Sequence, residues 1–232
     1  AESLDTVGVM ARSVADAAAF AAILEGQPVP PFVRRATPPR LGLCRTPAWR
    51  EAEPATEAAL WEAVSRLARA GAEIVEVDLP KVFDEASEAQ QIIQSYEVYR
   101  SLSWEILRHE DRLSPAIRDY IAPGRDCPRE QYDWARRVQA NCRAQFWQAF
   151  DVIDSLVTPA ATGEAPGGLS ATGSPAFNRI WTMLGVPCIT VPGLTGPQDL
   201  PVGIQIVGPA GRAAATLACA DWAHRALTGA AA

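Results

Sequence analysis

Covalent hydrolysis needs a serine, cysteine or lysine nucleophile, a base to take its proton and N–H donors for the oxyanion. Few residues of this chain fit those roles. The single lysine, Lys81, follows "VDLP" at a helix start, where a solvated lysine is expected. The two histidines, His109 and His224, fall at the end of one predicted helix and inside another, and neither stands in a glycine-rich turn. The stretch "GGLSATGSP" (167–175) sets two serines among glycines, as an oxyanion loop would. No partner base and no strand-to-helix elbow accompany it, so it reads as a surface loop.

The five cysteines, Cys44, Cys127, Cys142, Cys188 and Cys219, are odd in number and contain no C-x-x-C pair. That pattern favours reduced, mostly buried thiols over a disulfide framework or a zinc site. Cys188 is expected in a buried strand and Cys127 has no histidine near it in sequence, so a cysteine hydrolase is the weakest of the enzymatic readings. His and Cys never cluster and no H-E-x-x-H or paired-carboxylate signature occurs, so no metal is called for. G-x-G-x-x-G and P-loop patterns are also missing, which argues against a nucleotide, and no cofactor is implied. Asp5, Asp16, Asp78 and Asp84 suit turn and cap roles.

A net charge of -6 makes nucleic acid and anionic membrane unfavourable partners, because both repel an acidic surface. The most apolar uncharged run, Ile180 to Gln198, is broken by Pro187, Pro192, Pro197 and three glycines, so it is no membrane span. Residues 1–20 lack the basic head and apolar core of a signal peptide. The expectation is a cytoplasmic protein. With 232 residues and 48% hydrophobic content the chain can bury a core of its own.

Ser13-Val-Ala-Asp16 has the form of a capping box, and Val14, Ala17, Ala18, Ala21 and Leu24 follow at helical spacing, predicting a helix over about 14–25. Five prolines make 27–39 an exposed connector. Strand "LGLC" (41–44), a helix over about 54–70 stopped by Gly71, and strand "EIVEVDLP" (73–80) form a βαβ unit with parallel strands. Apolar residues every three or four positions predict a long helix from Val82 to about Arg108. A turn near Pro123-Gly124 and a helix over about 129–150 follow, and together they predict a helical cover over about 82–150 on one side of the sheet. The last third reads as strand "DSLVTPA", a loop over 160–175, a short helix over about 177–184, strands "PCITVPG" and "PVGIQIVG", and a final helix over about 213–227. The fold class is α/β: a mixed, partly parallel β-sheet flanked by helices.

Four segments together resemble the amidase signature family of serine hydrolases: "SLDTVGVMARSVADAAAFAAIL", the "LGLCRTPAW" to "GAEIVEVDLP" unit, "DSLVTPAA", and "GVPCITVPG" followed by "LPVGIQIVGPAG". Their order and spacing cover essentially the whole chain, residues 1–232. Val9 stands where family members usually have proline. The resemblance implies an α/β/α fold and an acyl-enzyme mechanism. In it one serine attacks the amide carbonyl, a second serine relays the proton and a lysine is the final base. In the family all three precede the "SLD" segment. The chain therefore corresponds to the C-terminal half, opens in mid-fold, carries no catalytic residue of that triad and is expected to be inactive alone.

In the resembling enzymes this half closes the substrate funnel. The implied substrate-binding residues are Phe177, Asn178, Trp181 and Thr182 from the helix before "GVPC", with Tyr96 and Tyr120 from the helical cover. For Phe177 and Trp181 core packing is an equal alternative. Glutamine-using members are expected to carry an acidic residue shortly before that helix. "GSPAFNRIWTML" has none, which favours a stand-alone amidase with an aromatic-lined pocket. The implied partners are a small-molecule amide substrate and an N-terminal half of the same fold, or a second copy on the exposed sheet edge. The competing reading is a non-catalytic α/β binding module.

Overall fold

The computed structural model describes residues 1–29 and 31–229; Pro30 of the proline-rich connector and residues 230–232 lie outside them. The first helix, α1 (Val14–Leu24), opens where the capping box predicts: the Ser13 Oγ accepts a hydrogen bond from the Asp16 N–H at 3.1 Å. Strand β1 (Arg40–Leu43), helix α2 (Pro54–Arg69) and strand β2 (Glu73–Glu76) form the expected unit, with β1 and β2 parallel and Leu41 opposite Ile74. A proline at its first position pre-sets the α2 backbone, and a glycine with φ of 105° follows its end.

The helical cover departs from expectation in two places. The predicted long helix is broken into a 3-10 turn at Lys81–Glu85, then α3 (Ala86–Ser101) and α4 (Ser103–His109), with Leu102 outside helical geometry between them. The predicted turn at Pro123-Gly124 lies instead inside a further helix, α5 (Pro115–Arg125), capped by the Ser114 hydroxyl. Pro123 sits inside it at the cost of its own ladder bond, since it has no N–H to donate. Gly124 is required because a Cβ there would fall 1.9 Å from the Ser95 carbonyl oxygen of α3. Helix α6 (Arg129–Phe146) runs into a 3-10 turn at Trp147–Phe150.

The chain then returns as β3 (Ser155–Pro159), passes a loop into α7 (Ala176–Leu184), and closes with β4 (Cys188–Thr195), β5 (Pro201–Val207) and α8 (Ala213–Thr228). The sheet order is β2-β1-β3-β5-β4: β1 is parallel to both β2 and β3, and β5 is antiparallel to β3 and β4. The sheet is thus mixed and partly parallel, as the pattern predicts.

Alternation along the strands separates two cores. Leu41, Leu43, Val157, Val191, Ile204 and Ile206 face α2 and α8, against Leu60, Leu67 and Trp222. Leu156 and Val207 face α3, α6 and α7, against Ile93, Phe146 and Trp181. Each fully buried leucine contributes about 1.5–3 kcal/mol relative to its exposed state. Helix α1 is the exception to this coverage. Only Val14 of its eleven residues is buried, and Phe20, Ile23 and Leu24 are each more than half exposed.

Candidate functional site

The site assembles at the C-terminal end of β3, under α7. Thr158 on β3 lies opposite Gln205 on β5, which lies opposite Thr190 on β4, forming one polar rung across these three strands. Thr158 and Gln205 are buried. The Gln205 Nε2 donates to the Asn178 Oδ1, and the Asn178 Nδ2 donates at 3.2 Å to the Ala160 carbonyl, the residue that leaves β3. Asn178 therefore ties α7 to both central strands. The Gln205 Oε1, the Thr158 Oγ1 and the Trp181 Nε1 are buried with no partner among the described residues. An unpaired buried polar atom costs about 1–3 kcal/mol, so this is a place of high polar demand.

Helix α7 is fixed at both ends. The Ser174 hydroxyl accepts from the Ala176 N–H at 3.3 Å, and Gly185 closes the helix in the left-handed conformation at φ 69°. The Met183 carbonyl accepts from Gln139 at 2.8 Å and from Arg143 at 2.9 Å, both on α6. The incoming loop is pinned early. The Thr162 carbonyl accepts from the Glu53 N–H, and the Glu164 carboxylate accepts from the Gln198 and Leu200 N–H groups of the β4–β5 connection. The rest of it, 165–174, is exposed, as the sequence predicts, and the Ser174 Oγ donates to Glu51 at 3.4 Å.

Of the residues implied for substrate, Phe177 and Trp181 are core residues of this half, at 1% and 2% exposure, which is the packing role left open above. Asn178 and Thr182 share the half-buried stripe of α7 one turn apart. Tyr120 on α5 is half exposed. Desolvation raises its pKa, with the Asp5 charge adding to the rise and the Gln94 amide and the Arg179 charge opposing it. Tyr96 is buried in the cover, its ring stacked on Tyr132 at 4.1 Å between centroids and its other face under the Arg100 guanidinium.

The remaining chemistry-bearing residues do not converge. Lys81 is exposed, His109 sits edge-on to Trp104 at the end of α4, and His224 lies on α8. Burial pushes the Cys44 and Cys142 thiols up to about 12. Cys188, expected to be buried, is exposed, because β4 is the outer strand of the sheet and this residue begins it. Among the described residues no group of three His, Cys, Asp or Glu could hold a metal ion. None of the described helices is long and apolar enough to cross a membrane.

Two residues absent from the sequence-based expectations nevertheless leave a signal in the sequence. Gln205 is legible as a polar residue between Ile204 and Ile206. Glu97 is legible as a carboxylate on the apolar face of α3, one position after Tyr96; it accepts from the Ser3 N–H and Oγ, the Tyr132 hydroxyl and Arg136, anchoring the first residues to the cover.

A family profile described as Amidase matches residues 1–217. The 2-amino-5-chloromuconic acid deaminase of Comamonas testosteroni is 32% identical over 89% of this chain and 48% of its own length. A glutamyl-tRNA(Gln) amidotransferase component from Cutibacterium acnes is 29% identical over 90% of this chain and 51% of its own. A solved structure described as an amidase superposes with a TM-score of 0.83 at 24% identity, covering 95% of this chain and 52% of that one. The chain spans about half the length of the curated relatives it matches.

Proposed function

Because this chain belongs to the amidase family, we propose that it is the C-terminal, substrate-shaping part of an enzyme that hydrolyses a C–N bond of a small molecule through an acyl-enzyme. The observation that carries this is the family match over residues 1–217 in a chain half as long as its relatives. The nucleophile, the relaying serine and the lysine base come from residues outside these 232. This half contributes the wall of the funnel: Asn178 and Thr182 from α7 and Tyr120 from α5, with Phe177, Trp181 and Tyr96 packed behind them. The Asn178–Gln205 pair fixes that wall against β3 and β5. One relative is named for deaminating an amino-chloromuconic acid, so the reading extends to C–N bonds beyond simple carboxamides.

The half that carries the triad covers the exposed apolar side of α1. A non-catalytic module is the second reading, favoured by one feature. The outer edge of β4 is blunted by Pro192 and a register shift between Val191 and Leu194, a device that suits a sheet standing alone. Amide hydrolysis by this chain alone and with a triad-bearing half, in one polypeptide or co-expressed, separates the two. The amidase reading expects no turnover alone and turnover on combination. Equal inactivity in both states, with the chain a stable monomer, supports the module.

A further inference from the structure

Six arginines of the described structure are half-buried: Arg35, Arg40, Arg66, Arg136, Arg179 and Arg225. Five of them pair with a carboxylate, respectively Asp154, Glu73, Glu62, Glu97 and Asp221. Arg179 alone has neither a carboxylate within 4.0 Å nor a side-chain hydrogen bond among the described residues. A guanidinium drawn partly out of water without a counter-charge is costly, and its planar fork of donors suits a carboxylate best.

Its place in the fold gives that unbalanced charge a direction. Only Asn178, Arg179 and Thr182 of α7 are half-buried, and their spacing puts them on one stripe of the helix, beside the rung of Thr158 and Gln205. Tyr120 on α5 lies within reach of the Arg179 charge. The acid that also acts on Tyr120, Asp5, holds the amino group of Ala1 at 2.6 Å instead.

We propose that Arg179 selects substrates that carry a carboxylate in addition to the C–N bond to be broken, its guanidinium taking that carboxylate while Asn178 and Thr182 line the adjoining wall. The substrate class is therefore a small anionic amide or a chemically related amino acid derivative. This inference rests on the amidase reading for its reaction but not for its binding, and the test keeps the two apart.

The experiment uses the chain together with its triad-bearing half. Two amides of equal carbon count are compared, glutaramate with a terminal carboxylate and pentanamide with a terminal methyl. The unmodified protein is expected to prefer glutaramate. Arg179→Met should lower kcat/KM for glutaramate by about 10- to 100-fold, chiefly through KM, and leave pentanamide within about threefold, as loss of one charge-assisted contact predicts. Arg179→Lys should restore part of the loss. Equal losses on both amides, or the same losses from Asp5→Asn, would mean that Arg179 is a structural partner of the protein, and the proposal falls. Calorimetric binding of glutarate reads the residue without turnover. Binding by the unmodified protein that Arg179→Met abolishes supports the proposal even if neither amide is hydrolysed, an outcome that would count against the amidase reading alone. Absence of glutarate binding, or equal binding by both proteins, overturns it.

Discussion

Gln205 and Asn178 show how a few polar atoms can set the position of a whole wall. Gln205 stands where the strand pattern calls for an apolar residue, and its amide is spent on α7 rather than on the sheet. Replacing Gln205 with leucine strands the Asn178 carbonyl oxygen. It should cost about 1–3 kcal/mol of stability, measured by urea denaturation. Thiols give a second prediction. With native pKa values near 12 against an ordinary 9.0, Cys44 and Cys142 keep their protons where the unfolded chain loses them. Their contribution to stability is complete below pH 9 and is lost as the pH rises from about 9 toward 12. A pH series of denaturation midpoints should fall over that window, and alkylation at pH 8 should reach Cys127 first while sparing the buried Cys44, Cys142 and Cys219 and the desolvated Cys188 thiol.

Among the elements, those with a strong local period are the ones legible in sequence. Helix α2 with its proline start and glycine stop, α1 with its serine cap, and the two parallel strands around α2 have predicted bounds that differ from the observed ones by a few residues at most. The cover is less legible, because its breaks depend on packing. Nothing local distinguishes the serines around Leu102 from helix residues, and Pro123-Gly124 reads as a turn until α3 is seen against Gly124. That contact makes a clear prediction. Alanine is a better helix former than glycine by about 1 kcal/mol. Yet Gly124→Ala should destabilise the protein by about 1–3 kcal/mol, because the added methyl meets backbone that cannot yield. A stabilised Gly124→Ala protein in a thermal melt would show that the α3–α5 approach is looser than described. On the other face, Leu60→Ala should cost about 2–5 kcal/mol, since Leu60 is buried to 1% exposure beneath the sheet.

For the molecule as a whole, the candidate site is legible only through the resemblance, because its residues come from α5, α7 and two strands that lie far apart in sequence. Asn178 and Thr182 are proposed that way; Arg179 and Gln205 need the fold, since the lack of a counter-charge and the direction of a strand residue are properties of packing. The exposed apolar residues Phe20, Ile23 and Leu24 of α1 carry the account's claim about assembly. Serine at all three should reduce self-association of the isolated chain in analytical ultracentrifugation and also weaken its binding to the triad-bearing half. The central claim is that this chain shapes the substrate while the nucleophile lies elsewhere. A fluorophosphonate that traps activated serines, followed by peptide mass mapping of the assembled protein, tests it most directly. The account predicts a single label on the complementary half and none on residues 1–232. A label on Ser170 or Ser174, the serines of the glycine-rich loop, would contradict it.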